Sequence, residues 1–200
     1  MIRVLALLLL CAAPAAAEVW PQLYDVTGVA ADDVLNIRAE PDAGAPILGT
    51  LAPDARGVEV IAEENGWGLV NTGEGAGWTS LRYLALHDIG PALLAPRLSC
   101  GGTEPFWDLD LVPGETAQFD LFGDKGPVHA ASGLQRAYGT PIGMAFTATS
   151  GAARMTGMIE ARDCSDGMSD RVYGISLGLL VEGAGDNSGH YMGCCSLQAD

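Results

Sequence analysis

The stretch DCSDGMSDRVYGISLGLL, Asp163 to Leu180, gathers the side chains of this chain most suited to chemistry. It holds three aspartates, a cysteine, and a Gly-Ile-Ser-Leu-Gly run that spells G-x-S-x-G around Ser176. Asp186 and His190 follow, so the order is serine, aspartate, histidine, as in the triads of α/β-hydrolases. That motif works when the serine sits on a tight turn from strand to helix above a parallel sheet. Here Ser176 lies inside an apolar alternating run, and no helical periodicity follows it. Catalysis by Ser176, Asp186 and His190 therefore ranks last, behind a strand serine followed by polar loop residues. No catalytic residue is expected.

Metal chemistry fares no better. Asp163, Asp166 and Asp170 are spaced three and four apart. A calcium loop of the EF-hand type needs oxygens at alternate positions and a glutamate at the twelfth, and neither is present. A capped turn fits instead, with Ser165 or Asp166 as the cap and Gly167 at positive φ. His87, His129 and His190 are scattered, so no zinc site, and no cofactor of any kind, is expected. Cys194-Cys195 is not C-x-x-C and no βαβ pattern surrounds it, which argues against redox catalysis.

The elements that must position these residues begin after a leader. Residues 1–17, MIRVLALLLLCAAPAAA, place Arg3 before an apolar run and end in small residues. That is the pattern of a secretory signal peptide, cleaved after Ala15-Ala16-Ala17 and before Glu18. Cys11 lies inside the run, but Leu10 before it is not the small residue that lipidation calls for, so Cys11 is expected to leave with the signal. No later segment is long and apolar enough to span a bilayer, and the expected location is periplasmic or secreted.

The formal charge of the 200 residues is -15, and Lys125 is the only lysine. No basic patch exists to hold a phosphate backbone, which excludes nucleic acid as a partner, and anionic lipid would repel the protein. Beyond the leader, four cysteines remain: Cys100, Cys164, Cys194 and Cys195. An even count in an exported chain points to disulfides. All four lie in the second half, so the first half must fold on its apolar core alone.

Glycine and proline are abundant and helical periodicity is scarce, which predicts an all-β chain. In the first half, VLNIR (Val34 to Arg38), PILGTL (Pro46 to Leu51), VEVIAEE (Val58 to Glu64), WGLVN (Trp67 to Asn71) and GWTSLRYL (Gly77 to Leu84) read as short strands. Asn65-Gly66 between two of them is a hairpin signal, because both residues tolerate positive φ. Residues 87–97, HDIGPALLAPR, read as a linker. In the second half about six strands are expected, at residues 107–111, 116–122, 143–150, 153–161, 171–181 and 190–197, making a small barrel or sandwich.

The ordered series Leu35-Asn36-Ile37-Arg38, Pro41, Ile47-Leu48-Gly49, Val58-Glu59-Val60, Gly66-Trp67, Gly77-Trp78 and Tyr83-Leu84 resembles the bacterial SH3-like domains of cell-envelope proteins. The resemblance covers residues 23–86 and implies a compact β-barrel that recognises peptidoglycan peptides or protein segments. Trp67 and Trp78 are then the natural ligand contacts, although aromatic residues at strand positions first suggest core burial. Tyr24 reads as a strand residue, since no aromatic-lined groove for proline-rich ligands is evident around it.

From Leu98 to the end, SCGGTEPFW, CSDGMSD and a terminal GCC resemble an uncharacterised family of small exported bacterial proteins, many of them lipoproteins. That resemblance implies a bridge between Cys164 and Cys194, which leaves Cys100 and Cys195 as the second pair. Adjacent cysteines on a strand point to opposite faces, so Cys194 and Cys195 can serve separate bridges. Glu104 and Trp107 are candidate ligand contacts, a carboxylate beside aromatics. The plainer alternative is the start of a strand, with Pro105 at the edge and Trp107 in the core.

The expected protein is thus a non-catalytic two-domain β protein of the envelope. Residues 18–86 form an SH3-like module and residues 98–200 a disulfide-stapled companion. Its partner would be a cell-wall peptide or an envelope protein. The alternative is a proteinaceous inhibitor of an exported hydrolase such as lysozyme, whose basic surface would suit an acidic partner. Nothing in the sequence points to an oligomeric state.

Overall fold

The structure, a computed structural model, describes residues 21–73, 75–87, 97–140 and 142–199. The leader at 1–17, its cleavage site, Cys11 and linker residues 88–96 lie outside the described residues.

The first domain is built of β1 (Gln22–Val26), β2 (Leu35–Arg38), β3 (Ile47–Leu51), β4 (Val58–Val60), β5 (Ala62–Glu64), β6 (Trp67–Asn71), β7 (Ala76–Ser80) and β8 (Leu84–Leu86), with one 3₁₀ turn at Leu81–Tyr83. Two small sheets, ordered β4-β1-β8 and β3-β2-β7-β6-β5, face each other. Between them lie Ile37, Val60 and Val70, with Tyr24, Leu51, Val58, Leu81 and Leu84 packed around. Asn65 (φ 52°) and Gly66 (φ 81°) make the turn between β5 and β6, as the dipeptide predicts. The expected strand at 58–64 is in fact two. The chain breaks at Ile61, so that β4 pairs with β1 in one sheet and β5 with β6 in the other. One strand crossing between sheets is how a small barrel turns its corner.

The second domain contains β9 (Arg97–Thr103), β10 (Phe106–Val112), β11 (Thr116–Leu121), β12 (Asp124–Ala131), the two-residue β13 (Gln135–Arg136), β14 (Gly143–Ser150), β15 (Ala153–Cys164), β16 (Tyr173–Glu182) and β17 (Gly189–Gln198). Neighbouring strands pair antiparallel in the order β12-β11-β10-β9-β17-β16-β15-β14, and β12 pairs with β14 through Ala130 and Ala131. That last pairing closes eight strands into an up-and-down barrel. A closed ring removes the unpaired edges that invite aggregation.

The expectation of six strands is corrected here, because β9, β12 and β13 were not foreseen. Gly101-Gly102 in β9 and Gly126-Pro127 in β12 interrupt the alternation that marks a strand in sequence. In β12 the interruption is absorbed by a register shift between Gln118 and Asp120, where Pro127 has no ladder position to fill. The barrel also starts at Arg97, one residue earlier than expected, and Arg97 Nη2 lies 3.0 Å from Asp110 Oδ1 on the neighbouring strand.

An eight-stranded barrel is just wide enough for side chains to fill it. Inward positions alternate along β9, β10, β15, β16 and β17: Leu98 and Cys100, Trp107, Leu109 and Leu111, Met155 and Ile159, Ile175, Leu177 and Leu179, Tyr191, Cys195 and Leu197. Trp107, Phe119 and Tyr191 pack as an aromatic cluster, with centroids 4.9–6.1 Å apart. The Trp107 indole lies against Gly102 and Gly193, where any Cβ would collide with it.

Both bridges match the pairing that the second resemblance implies: Cys100–Cys195 and Cys164–Cys194. Cys195 faces Cys100 directly across β9 and β17 and belongs to the barrel core. Cys194, on the opposite face of β17, ties that strand to the end of β15.

The two domains touch. Leu23 on β1 belongs to the buried cluster of the barrel, not to that of its own domain. The Asn71 side chain behaves like a strand partner for Val172, donating from Nδ2 to its carbonyl (2.8 Å) and accepting its N–H on Oδ1 (3.0 Å). Leu197 donates its N–H to Glu59 Oε1 at 2.8 Å. Pro21 and Ile61 pack on Gly174, whose missing side chain leaves the space they occupy. Among the described residues, no helix is long and apolar enough to cross a membrane.

Candidate functional site

The chemistry-bearing stretch at 163–180 does not assemble a triad. Ser176 faces outward on β16 opposite Cys194, and its Oγ accepts a hydrogen bond from Arg162 Nε at 2.8 Å. His190 pairs with Leu180, four residues further along β17, which places it about 13 Å from the Ser176 row. Asp186 lies in an exposed 3₁₀ turn, Gly185–Asn187. The aspartate-rich segment is a capped turn. Asp166 Oδ1 accepts the N–H groups of Met168 (3.0 Å) and Ser169 (2.9 Å), while Oδ2 accepts the Ser169 hydroxyl (2.7 Å). Gly167 sits at φ 73°. The amides of Ser169 and Met168, then the Ser169 hydroxyl, hold the Asp166 carboxyl down at about 2.

Two concave surfaces remain. On the first domain, a groove of about 550 Å³ runs between the β1–β2 connection and the outer face of the five-stranded sheet. Gly68, Val70, Gly77 and Thr79 point into the core, so their neighbours Trp67, Leu69, Trp78 and Ser80 point out. Trp67 sits opposite Ser80 and lines the groove with Arg38, Arg82 and Tyr83. The Arg82 guanidinium lies 5.8 Å from the centre of the Tyr83 ring. Arg38 is held in place by Nη1 donating to the Ala45 carbonyl at 2.7 Å. Trp78, opposite Arg38 and Leu69, occupies the same sheet face beyond the groove lining. The alternative that both tryptophans are core residues does not hold: each is half-buried on an outward face, because the small interior takes Gly68 and Gly77 at the neighbouring positions.

On the second domain, a cleft of about 390 Å³ opens beside β9, lined by Thr103, Phe106, Asp108, Asp166, Arg171 and Tyr173 among others. Thr103 Oγ1 donates to the Asp166 carbonyl at 2.8 Å and so fastens the capped turn to the SCGGTEPFW strand. Trp107, 2% exposed, borders the cleft only from the barrel interior, where its ring packs, as the plainer strand reading expects. Phe106 stands at the rim, 54% exposed. Glu104 lies exposed at the tip of the β9–β10 hairpin, outside the lining. Burial, then the like charges of Asp120 and Asp110, push the Asp108 carboxyl up. Burial also pushes the Tyr173 phenol up.

Arg171 lies where this cleft meets a third hollow of about 340 Å³ between the domains, which Glu59, Ser196 and Leu197 also line. Its Nε is buried and has no hydrogen-bond partner among the described residues, and its guanidinium lies 5.7 Å from the Tyr173 ring centre. Burial between the domains pushes the Glu59 carboxyl up to about 7, against the opposing pull of the Leu197 amide, the Ser196 hydroxyl and the Arg171 charge. Such a guanidinium can donate hydrogen bonds to a carboxylate or phosphate.

Of the residues that the sequence singles out, Trp67 lines the groove and Trp107 borders the cleft, while Trp78 and Glu104 lie outside both linings; Arg82, Tyr83, Phe106, Arg171 and Tyr173 line them without having been singled out. The residues Arg171-Val172-Tyr173 read only as the start of a strand. Nothing in their spacing shows that the arginine would lodge between domains.

Residues 33–85 match the family described as bacterial SH3 domain, in agreement with the groove-bearing barrel seen here. No curated protein and no solved structure matches the chain, so the likeness of the second domain to an exported family rests on its motifs alone.

Proposed function

We propose that this chain is a non-catalytic, extracytoplasmic binding protein whose SH3-like domain takes a peptide of the cell wall or of an envelope protein. The observation that carries the proposal is the outward groove of Trp67 and Tyr83 flanked by Arg38 and Arg82. Aromatic faces supply apolar contact at little entropic cost, and the guanidinium groups can pair with peptide carboxylates. A bacterial SH3 domain supports a cell-wall or peptide-binding role. Two disulfides suit an oxidising compartment.

Sedimentation with purified peptidoglycan tests this. The protein should pellet with the wall, and Trp67→Ala should stay in the supernatant while melting within about 1 kcal/mol of the parent, as expected for a half-exposed residue. Equal retention of Trp67→Ala would reject the groove. Failure of the parent to sediment, combined with loss of lysozyme activity on mixing, would replace wall binding by inhibition.

A further inference from the structure

Strands β15, β16 and β17 lie side by side on the barrel wall, and three outward positions fall in one row. Met158 is paired with Gly178, and Gly178 with Met192. Their neighbours Ile159, Leu177, Leu179 and Tyr191 are buried inside, so the row faces outward. Met158 is 66% and Met192 55% exposed. His190, two residues before Met192, shares the outward face of β17 and is exposed.

Gly178 leaves a gap in the middle of this row. A Cβ placed there would lie 3.4 Å from Met192 Sδ and 3.5 Å from His190 Nε2, so a thioether and an imidazole converge on the same empty point. Met158 stands on the other side of that gap, at the distance of a directly paired neighbour, with an unbranched side chain free to reach across.

We propose that Met158, Met192 and His190 form a surface site for a soft monovalent cation, Cu(I), held above Gly178. Two thioether sulfurs make this a soft, neutral donor set that selects Cu(I) over calcium or magnesium; imidazole suits copper and zinc alike, so the thioethers carry the discrimination against zinc. Hard donors nearby are engaged elsewhere. Glu160, in the next row, pairs with Arg162 at 3.5 Å, and Ser176 accepts from Arg162 Nε. The row on the other side carries Thr156 and Leu180 beside His190. Cys100, Cys164, Cys194 and Cys195 are all in disulfides and offer no thiolate.

The test is an anaerobic Cu(I) titration of the oxidised protein against a chromophoric Cu(I) chelator, in a Cys11→Ser background so that no free thiol contributes. One Cu(I) per chain should bind, and excess Zn(II) should not displace it. Met158→Leu, Met192→Leu and His190→Gln should each weaken binding on the order of tenfold or more, because each removes one donor. Leucine at either exposed position keeps the volume and leaves folding intact, which the melting curve checks. Gly178→Leu should block the site while all three donors remain. Absence of Cu(I) uptake, displacement by Zn(II), or unchanged affinity in the Met158→Leu/Met192→Leu double variant would overturn the proposal.

Discussion

The two domains solve the problem of small size in different ways. The first rests on a buried cluster of three apolar residues, Ile37, Val60 and Val70, and lends Leu23 to its neighbour. The second fills a closed ring with a large apolar core and adds two disulfides. A thin core leaves little room inside, so the first domain carries tryptophans on an outward sheet face, where a ligand can meet them. The second domain spends its largest aromatic, Trp107, on packing, and leaves Phe106, Phe122 and Tyr138 exposed at separate places on its surface. The second domain thus holds the larger buried core and both bridges, and the first carries two half-buried tryptophans on an outward face.

Removing the disulfides should break this contrast most severely. The Cys100–Cys195 bridge spans 95 residues and the Cys164–Cys194 bridge 30. By the chain-entropy estimate, the first contributes about 4–5 kcal/mol and the second about 3.5 kcal/mol. The loops overlap, so the two values do not add. Cys100→Ala/Cys195→Ala should therefore lower the urea midpoint of the barrel more than Cys164→Ala/Cys194→Ala does. The reverse order would mean that native packing, not loop length, sets the contribution.

Cutting the contact between the domains should cost less. Asn71→Ala leaves the Val172 N–H and carbonyl without their partner, at about 1–3 kcal/mol. The SH3-like domain should show the larger loss of hydrogen-exchange protection, since its own core is smaller. Equal loss in both domains, or none, would show that neither depends on the contact.

The effect of pH sharpens the comparison with opposite signs. Glu59 titrates at about 7 in the fold against an ordinary 4.5, so its contribution is fully present below about 4.5 and is lost as pH rises through about 7. Asp166, at about 2 against 3.8, stabilises above the ordinary value and loses that contribution as pH falls through about 2. Glu59→Gln should gain on the parent in Tm between pH 4.5 and 7. A Tm difference that stays flat across this window would dismiss the shift. Asp166→Asn should differ most above pH 4 and converge with the parent in strong acid.

Ser176→Ala should do least. The hydroxyl accepts one hydrogen bond from Arg162, which is itself largely solvated. A change within about 1 kcal/mol, with peptidoglycan retention intact, is expected from denaturation and sedimentation. Labelling of Ser176 by a serine-directed phosphonate would reopen the catalytic alternative.

Much of this architecture was legible because it is local. Alternation located most strands, Asn65-Gly66 declared its turn, and the adjacency of Cys194 and Cys195 showed that they serve opposite faces. Strands β9 and β12 escaped because glycine and proline erase alternation, and the bulge that absorbs Gly126-Pro127 exists only when β11 lies beside β12. For Trp67 and Trp78 the sequence leaves ligand contact and core burial both open, because hydrophobicity reports a preference for burial, not the room that the interior has.

The sequence by itself determined the all-β class, the order of an SH3-like module before a cysteine-bearing one, and the two faces of each strand. Those follow from backbone periodicity and residue type, which are properties of neighbours in the chain. Only the tertiary structure decided that β12 meets β14 to close a ring, that Arg171 lodges between the domains, and that Met158, Gly178 and Met192 share one row. Each of these depends on register between strands. Register is set by the joint packing of all the inward side chains, so no single segment encodes it.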